Sequence, residues 1–123
     1  MFLLLAHTKL DVFQVSKMLL LECYRVTKTF PSEEKFALVQ QIRRAAISVH
    51  LNLAEGCSRK SPAERRRFYE ISRSSLVEMD TQFEIAIILN YYKKGQIKEL
   101  EEYLESVFRM LSKMIENLNS KPN

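Results

Sequence analysis

The sequence predicts an all-α protein: an antiparallel up-down four-helix bundle in a single domain over residues 1–123, with residues 1–9 as a frayed lead-in. Three observations predict it. Apolar residues recur at steps of three and four in four separate stretches, the spacing that keeps side chains on one face of a helix. The breaks between stretches are short, and each carries a proline or glycine that interrupts helical geometry. Hydrophobic residues make up 46% of the chain, with only two Gly and three Pro, a composition that argues against disorder and against a turn-rich β protein.

The first helix is expected over residues 10–29. Val12, Val15, Leu19, Cys23 and Val26 form its stripe, widened by Phe13, Leu20 and Tyr24, and Phe30-Pro31 stops it because the residue before proline is pushed out of helical geometry. The second is expected over residues 33–57, roughly 36 Å long. Ser32 reads as its N-cap, Glu33 and Glu34 suit its first turn, and Gly56 marks where it ends or loosens. The third, residues 62–92, opens on the capping box Ser61-Pro62-Ala63-Glu64 with proline at the first helical position. Phe68, Ser72, Ser75, Met79, Phe83 and Ala86 continue it, and Lys93, Lys94 and Gly95 supply its stop. The fourth, residues 96–119, carries Ile97, Leu100, Leu104, Val107, Leu111, Met114 and Leu118 in a coiled-coil-type seam.

The net charge of +4 is unevenly spread. Residues 43–73 hold eight basic and three acidic groups, whereas residues 74–92 hold three acidic groups and no basic one. Cys23 and Cys57 make no metal spacing and read as two reduced thiols of a cytoplasmic protein. The apolar start MFLLLA is too short to span a membrane and lacks the basic flank of a signal peptide, so no membrane partner is expected. His7 and His50 are the only histidines, and no glycine-rich phosphate loop, nucleophile motif or metal set is present. The sequence therefore reads as a non-enzyme without a cofactor.

Residues 41–62, QIRRAAISVHLNLAEGCSRKSP, are the most informative stretch. At 100° per residue, Gln41, Arg44, Ser48, Asn52, Glu55 and Arg59 fall within roughly 80° of one another. Leu38, Ile42, Ala46, Val49 and Leu53 form an apolar stripe on one side, and Phe36, Ile47, Leu51 and Ala54 form a second on the other. A helix apolar on two faces is buried on two faces. Folding one small chain covers one of them, and the other points to a partner subunit.

The motifs of this region resemble a known family. The chain has Gln41-Ile42-Arg43-Arg44-Ala45-Ala46, then Ser48, Asn52 and Ala54-Glu55-Gly56, then Arg59, Ser61, Phe68, Ser75-Leu76 and Glu78. This resembles the bacterial four-helix-bundle proteins encoded inside intervening sequences of 23S ribosomal RNA genes, and the likeness extends over nearly the whole chain from about Lys9. His50 stands where that family has proline, and Ser72 and Ser74 stand for its alanine and glycine. The resemblance implies a ring-like homopentamer. A related accessory protein of diversity-generating retroelements is similar in fold and works with nucleic acid, an analogy of fold that does not itself carry function.

Two readings compete for the polar row of Gln41, Arg44, Ser48, Asn52 and Glu55. It is either a ligand-contacting row or a hydrogen-bonded network that fixes register at a seam between helices or subunits, with Phe36, Ile47 and Leu51 alongside; the seam is favoured. Arg44 and Glu55 lie about 16 Å apart by helical rise and cannot pair directly. Arg43, Arg44, Arg59, Lys60, Arg65, Arg66, Arg67 and Arg73 are the candidate contacts to RNA or DNA phosphates. Their alternative is pairing with Glu99, Glu101, Glu102 or Glu105, within or between subunits, in a scaffold that binds another protein. Phe68 is expected in the core and Tyr69 outside it, free to stack on a base.

Overall fold

In the computed structural model, which describes residues 2–3 and 5–120, the helices are α1 (Asp11–Thr27), α2 (Leu38–Ser58), α3 (Pro62–Ile88) and α4 (Lys98–Ser120). No strand occurs among the described residues. Each helix touches its sequence neighbours, α4 closes back onto α1, and neither diagonal pair meets. The four helices thus stand at the corners of a square, as an up-down bundle requires. Phe13, Leu19, Ile42, Leu53, Leu76, Met79, Leu100 and Leu111 fill its middle and are all but sealed from solvent. The 3-4 spacing of α4 places Leu100, Val107 and Leu111 in that core, with Leu104, Met114 and Leu118 half-buried at its margin.

Three helix boundaries differ from expectation, each for a local reason. α2 begins at Leu38 rather than residue 33, because Ser32–Glu34 form a 3-10 turn and Ala37 leaves helical geometry at φ −123°, ψ −102°. Glu34 serves this junction from outside the helix: its carboxylate accepts the Leu38 amide at 3.5 Å and the Tyr91 hydroxyl. α2 is then 21 residues, about 31 Å. At its other end Gly56 is not a stop. It is buried inside the helix, which continues to Ser58, and a Cβ there would stand 2.6 Å from the Tyr69 ring. The glycine lets α3 approach.

α3 stops at Ile88, four residues before expected, and Asn90 rather than Gly95 does the stopping. Asn90 takes the left-handed conformation at φ +63°, its amide donates to Ile87, and the Tyr91 amide donates to Ala86. That pair of bonds closes the last turn as a Schellman motif, which tolerates asparagine in place of glycine. α3 starts as predicted, with Ser61 accepting the Glu64 amide at 3.4 Å and Pro62 in the first turn. Part of the presumed lead-in is ordered against the bundle: Ala6–Lys9 form a 3-10 turn whose His7 is buried, edge-on to Phe13 at 4.9 Å.

Candidate nucleic-acid interface

The turn between α2 and α3 brings together the basic residues that the sequence places closest to one another. Arg65 Nε donates to the Arg59 carbonyl at 2.6 Å, tying the first turn of α3 to the end of α2. The Arg59 guanidinium lies 5.0 Å from the centre of the Phe68 ring, and that of Arg67 lies 5.9 Å from it. Phe68 is therefore a half-exposed platform for two cations, and Tyr69 is the core residue, 4% exposed, reversing the expected roles. The reversal follows from the close approach at Gly56, which draws Tyr69 inward until its hydroxyl donates to Cys57 Sγ at 3.5 Å. Burial, then the Cys57 bond, pushes the Tyr69 phenol well above its ordinary range.

Arg59 also pairs with Glu55 at 2.5 Å, one helical turn away. Among the described residues, no carboxylate lies within ion-pair distance of Arg65, Arg66, Arg67, Arg44 or Lys60. The Nε groups of Arg59 and Arg66 are buried without a hydrogen-bond acceptor. Within one chain, then, the acidic start of α4 does not neutralise the arginines of α3.

Two of the eight candidate contacts are turned elsewhere. Arg43 reaches α1, where it donates to Thr27 Oγ1 at 2.9 Å and to the Tyr24 carbonyl at 3.3 Å and stacks 4.4 Å over the Tyr24 ring. Arg73 reaches α4, donating to Ser112 Oγ at 3.2 Å beside Phe108. Arg44 is exposed near the middle of α2. The basic surface of this chain therefore centres on Arg59, Lys60, Arg65, Arg66 and Arg67.

The polar row divides along its length. In the middle, Ser75 on α3 donates to Ser48 Oγ at 2.9 Å, and Asn52 donates to the Ser48 carbonyl and hydroxyl at 2.9 and 3.0 Å. Ser72 adds a bond to the Val49 carbonyl at 2.7 Å. These groups lie in the α2–α3 seam of a single chain. Gln41, Arg44 and Glu55 are exposed. On another flank of α2 the second apolar stripe has no cover, with Leu51 63% and Ile47 39% exposed, and Phe36, expected in that stripe, lies in the turn before the helix and is 80% exposed. Ala54 alone of that stripe packs against the core.

A histidine link that the spacing did not reveal joins α1 to α2. His50 Nδ1 and the buried Ser16 Oγ share a hydrogen bond of 2.6 Å, and the imidazole stacks on Phe13 at 4.3 Å. Burial, with Lys17 and His7 nearby, lowers the His50 pKa below 6.5 and favours the neutral ring. Its one sequence signal was His50 itself, polar on a helix flank next to the apolar stripe. No cluster of three metal-ligating side chains occurs among the described residues, and no described helix is long and apolar enough to cross a membrane.

The fold agrees with that of a solved structure. A crystal structure at 1.70 Å of a protein of unknown function from the S23 ribosomal protein family of Bacteroides thetaiotaomicron superposes with a TM-score of 0.77. It shares 21% sequence identity, and the match covers 85% of this chain and 97% of that one, a likeness that bears on the fold alone. No curated protein matches the chain significantly. The family described as 23S rRNA-intervening sequence protein matches residues 8–113, across all four helices of the square bundle and the basic turn between α2 and α3. The chain belongs to the 23S rRNA-intervening sequence protein family.

Proposed function

We propose that this protein is a non-catalytic accessory factor that assembles with copies of itself and holds RNA or DNA by its phosphates. One observation carries the nucleic-acid part: Arg65, Arg66 and Arg67, with Lys60, gather at one turn without a carboxylate partner among the described residues. The guanidinium ends of these arginines offer N–H donors suited to phosphate oxygens. Phe68, flanked by Arg59 and Arg67, adds an aromatic surface that favours cations held for an anion. Assembly in copies is supported by the uncovered stripe of Phe36, Ile47 and Leu51, and the number five by the resemblance to ring-forming relatives.

Gel-shift titrations of structured RNA and of duplex DNA across a salt series test the first part. Binding weakens steeply with salt, and replacing residues 65–67 by alanine flattens the slope by roughly three units if each arginine meets one phosphate. No shift at low salt, or an unchanged slope in the triple variant, refutes it. Light scattering at tens of micromolar tests the second part, and a monomer refutes it.

A second reading is a scaffold whose ligand is another protein. The exposed apolar residues of α3, among them Val77 (52%) and Ile88 (68%), favour it. On that reading nucleic acid does not bind, and Arg66→Ala weakens the assembly instead.

A further inference from the structure

We infer that two opposite sides of the square bundle are the complementary halves of one head-to-tail contact between copies of this chain. The inference rests on the self-assembly proposed above and specifies which surfaces meet.

The α1–α2 side carries apolar groups framed by cations. Phe36 and Ile47 border a hollow of 440 Å³ whose lining includes Lys35, Arg43 and Arg44 and no carboxylate. Leu51 extends the apolar surface one turn beyond Ile47. The α3–α4 side is the reverse. A groove of 810 Å³ runs between the helices, floored by residues such as Leu76, Phe83 and Leu104. Val77, Ile88 and Phe108 at its edges are 52%, 68% and 40% exposed. Asp80, Glu84, Glu101 and Glu105 line it, with Lys94 the one cation of its lining. Among the described residues, none of these four carboxylates has an ion-pair partner.

Charge decides how the sides combine. Two α1–α2 sides face to face would oppose cations to cations, and two α3–α4 sides would oppose carboxylates to carboxylates; like-charge juxtaposition costs several kcal/mol at an interface. One side against the other brings Lys35 and Arg44 to the carboxylates and lays Phe36 and Leu51 into the apolar groove. Because α1–α2 and α3–α4 are opposite sides of the square, the contact is heterologous. Such a contact repeats from copy to copy and closes into a ring when its rotation allows.

The test uses two variants of the full chain. The first, Phe36→Asp with Leu51→Asp, spoils only the α1–α2 side. The second, Val77→Lys with Ile88→Lys, spoils only the groove. All four positions are exposed in the single chain, so the helical circular dichroism and melting midpoint should match the wild type. Where a double variant melts early, Arg44→Glu and Glu84→Lys replace it. Sedimentation at tens of micromolar should find the wild type assembled beyond a dimer, each variant alone monomeric, and their equimolar mixture paired as a one-to-one dimer, because one intact α1–α2 side still meets one intact groove while both outer sides are spoiled. A monomeric wild type overturns both this inference and the self-assembly reading. An assembled wild type with either variant still assembled, or with a mixture that stays monomeric, overturns this inference only.

Discussion

α3 makes two seams of opposite character. Against α2 it presents Ser72, Ser75 and Tyr69 to Ser48, Val49, Gly56 and Cys57; the side chains are mostly small, four hydroxyls are bonded, and a glycine admits an aromatic ring. Toward α4 it presents Val77, Phe83 and Ile87, which line one groove with Leu104 and Phe108, and Asp80, Glu84, Glu101 and Glu105 line the same groove. Between that second pair of helices a groove of 810 Å³ remains. The seam of small, hydrogen-bonded side chains is thus completed inside the chain, and the seam of bulky and acidic ones is left as surface for another molecule.

The largest expected effect lies at the tightest point. Gly56→Ala gains up to ~1 kcal/mol of helix propensity. Its methyl would nevertheless stand 2.6 and 2.7 Å from two carbons of a buried Tyr69 ring that is anchored by its hydroxyl. Overpacking of this kind costs about 1–3 kcal/mol, so urea unfolding should show a net loss of up to about 2 kcal/mol. A more stable variant would mean that the seam has slack. Ser72→Ala removes a buried hydroxyl bonded to Val49 and should cost about 0.5–1 kcal/mol in the same measurement, while Val77→Ala on the open seam should stay within about 0.5 kcal/mol of wild type. Equal costs for Ser72 and Val77 would erase the contrast between the seams.

The α1–α2 seam, held by His50, should respond to acid. The folded pKa of His50 is lowered, mainly by burial, so folding favours the neutral ring. Its contribution is complete above the unfolded value of about 6.5 and is lost as pH falls through the folded value. Thermal melts between pH 7.5 and 5 should show this decline, and His50→Phe should flatten that part of the curve. An unchanged slope would place the histidine's charge outside the seam.

Much of this architecture was legible in the sequence. The Ser61-Pro62 start of α3 was plain because cap and proline act through neighbours in the chain, and the core stripe of α4 was plain because its spacing is regular. The misread positions depend on contacts distant in sequence. Gly56 looked like a helix end because a glycine does not reveal which side chain approaches it, here Tyr69 on the next helix. Phe68 and Tyr69 exchanged roles for the same reason. Asn90 was missed because Gly95, a residue with fewer steric limits, offered itself a turn later. For the candidate interface, composition placed eight cations in one segment, but successive residues turn by about 100°, which sends Arg43 to α1 and leaves Arg44 in solvent.

The two thiols sit at unequal depth. Cys23 is fully buried on α1, and burial pushes its thiol up to about 12, while Cys57 is half-buried at the end of the α2–α3 seam. A thiolate-selective reagent therefore meets Cys57 first and reaches Cys23 only when the helices separate. The native chain thus offers one attachment point for a spectroscopic probe beside its basic turn, and one internal clock for the breathing of the bundle as a whole.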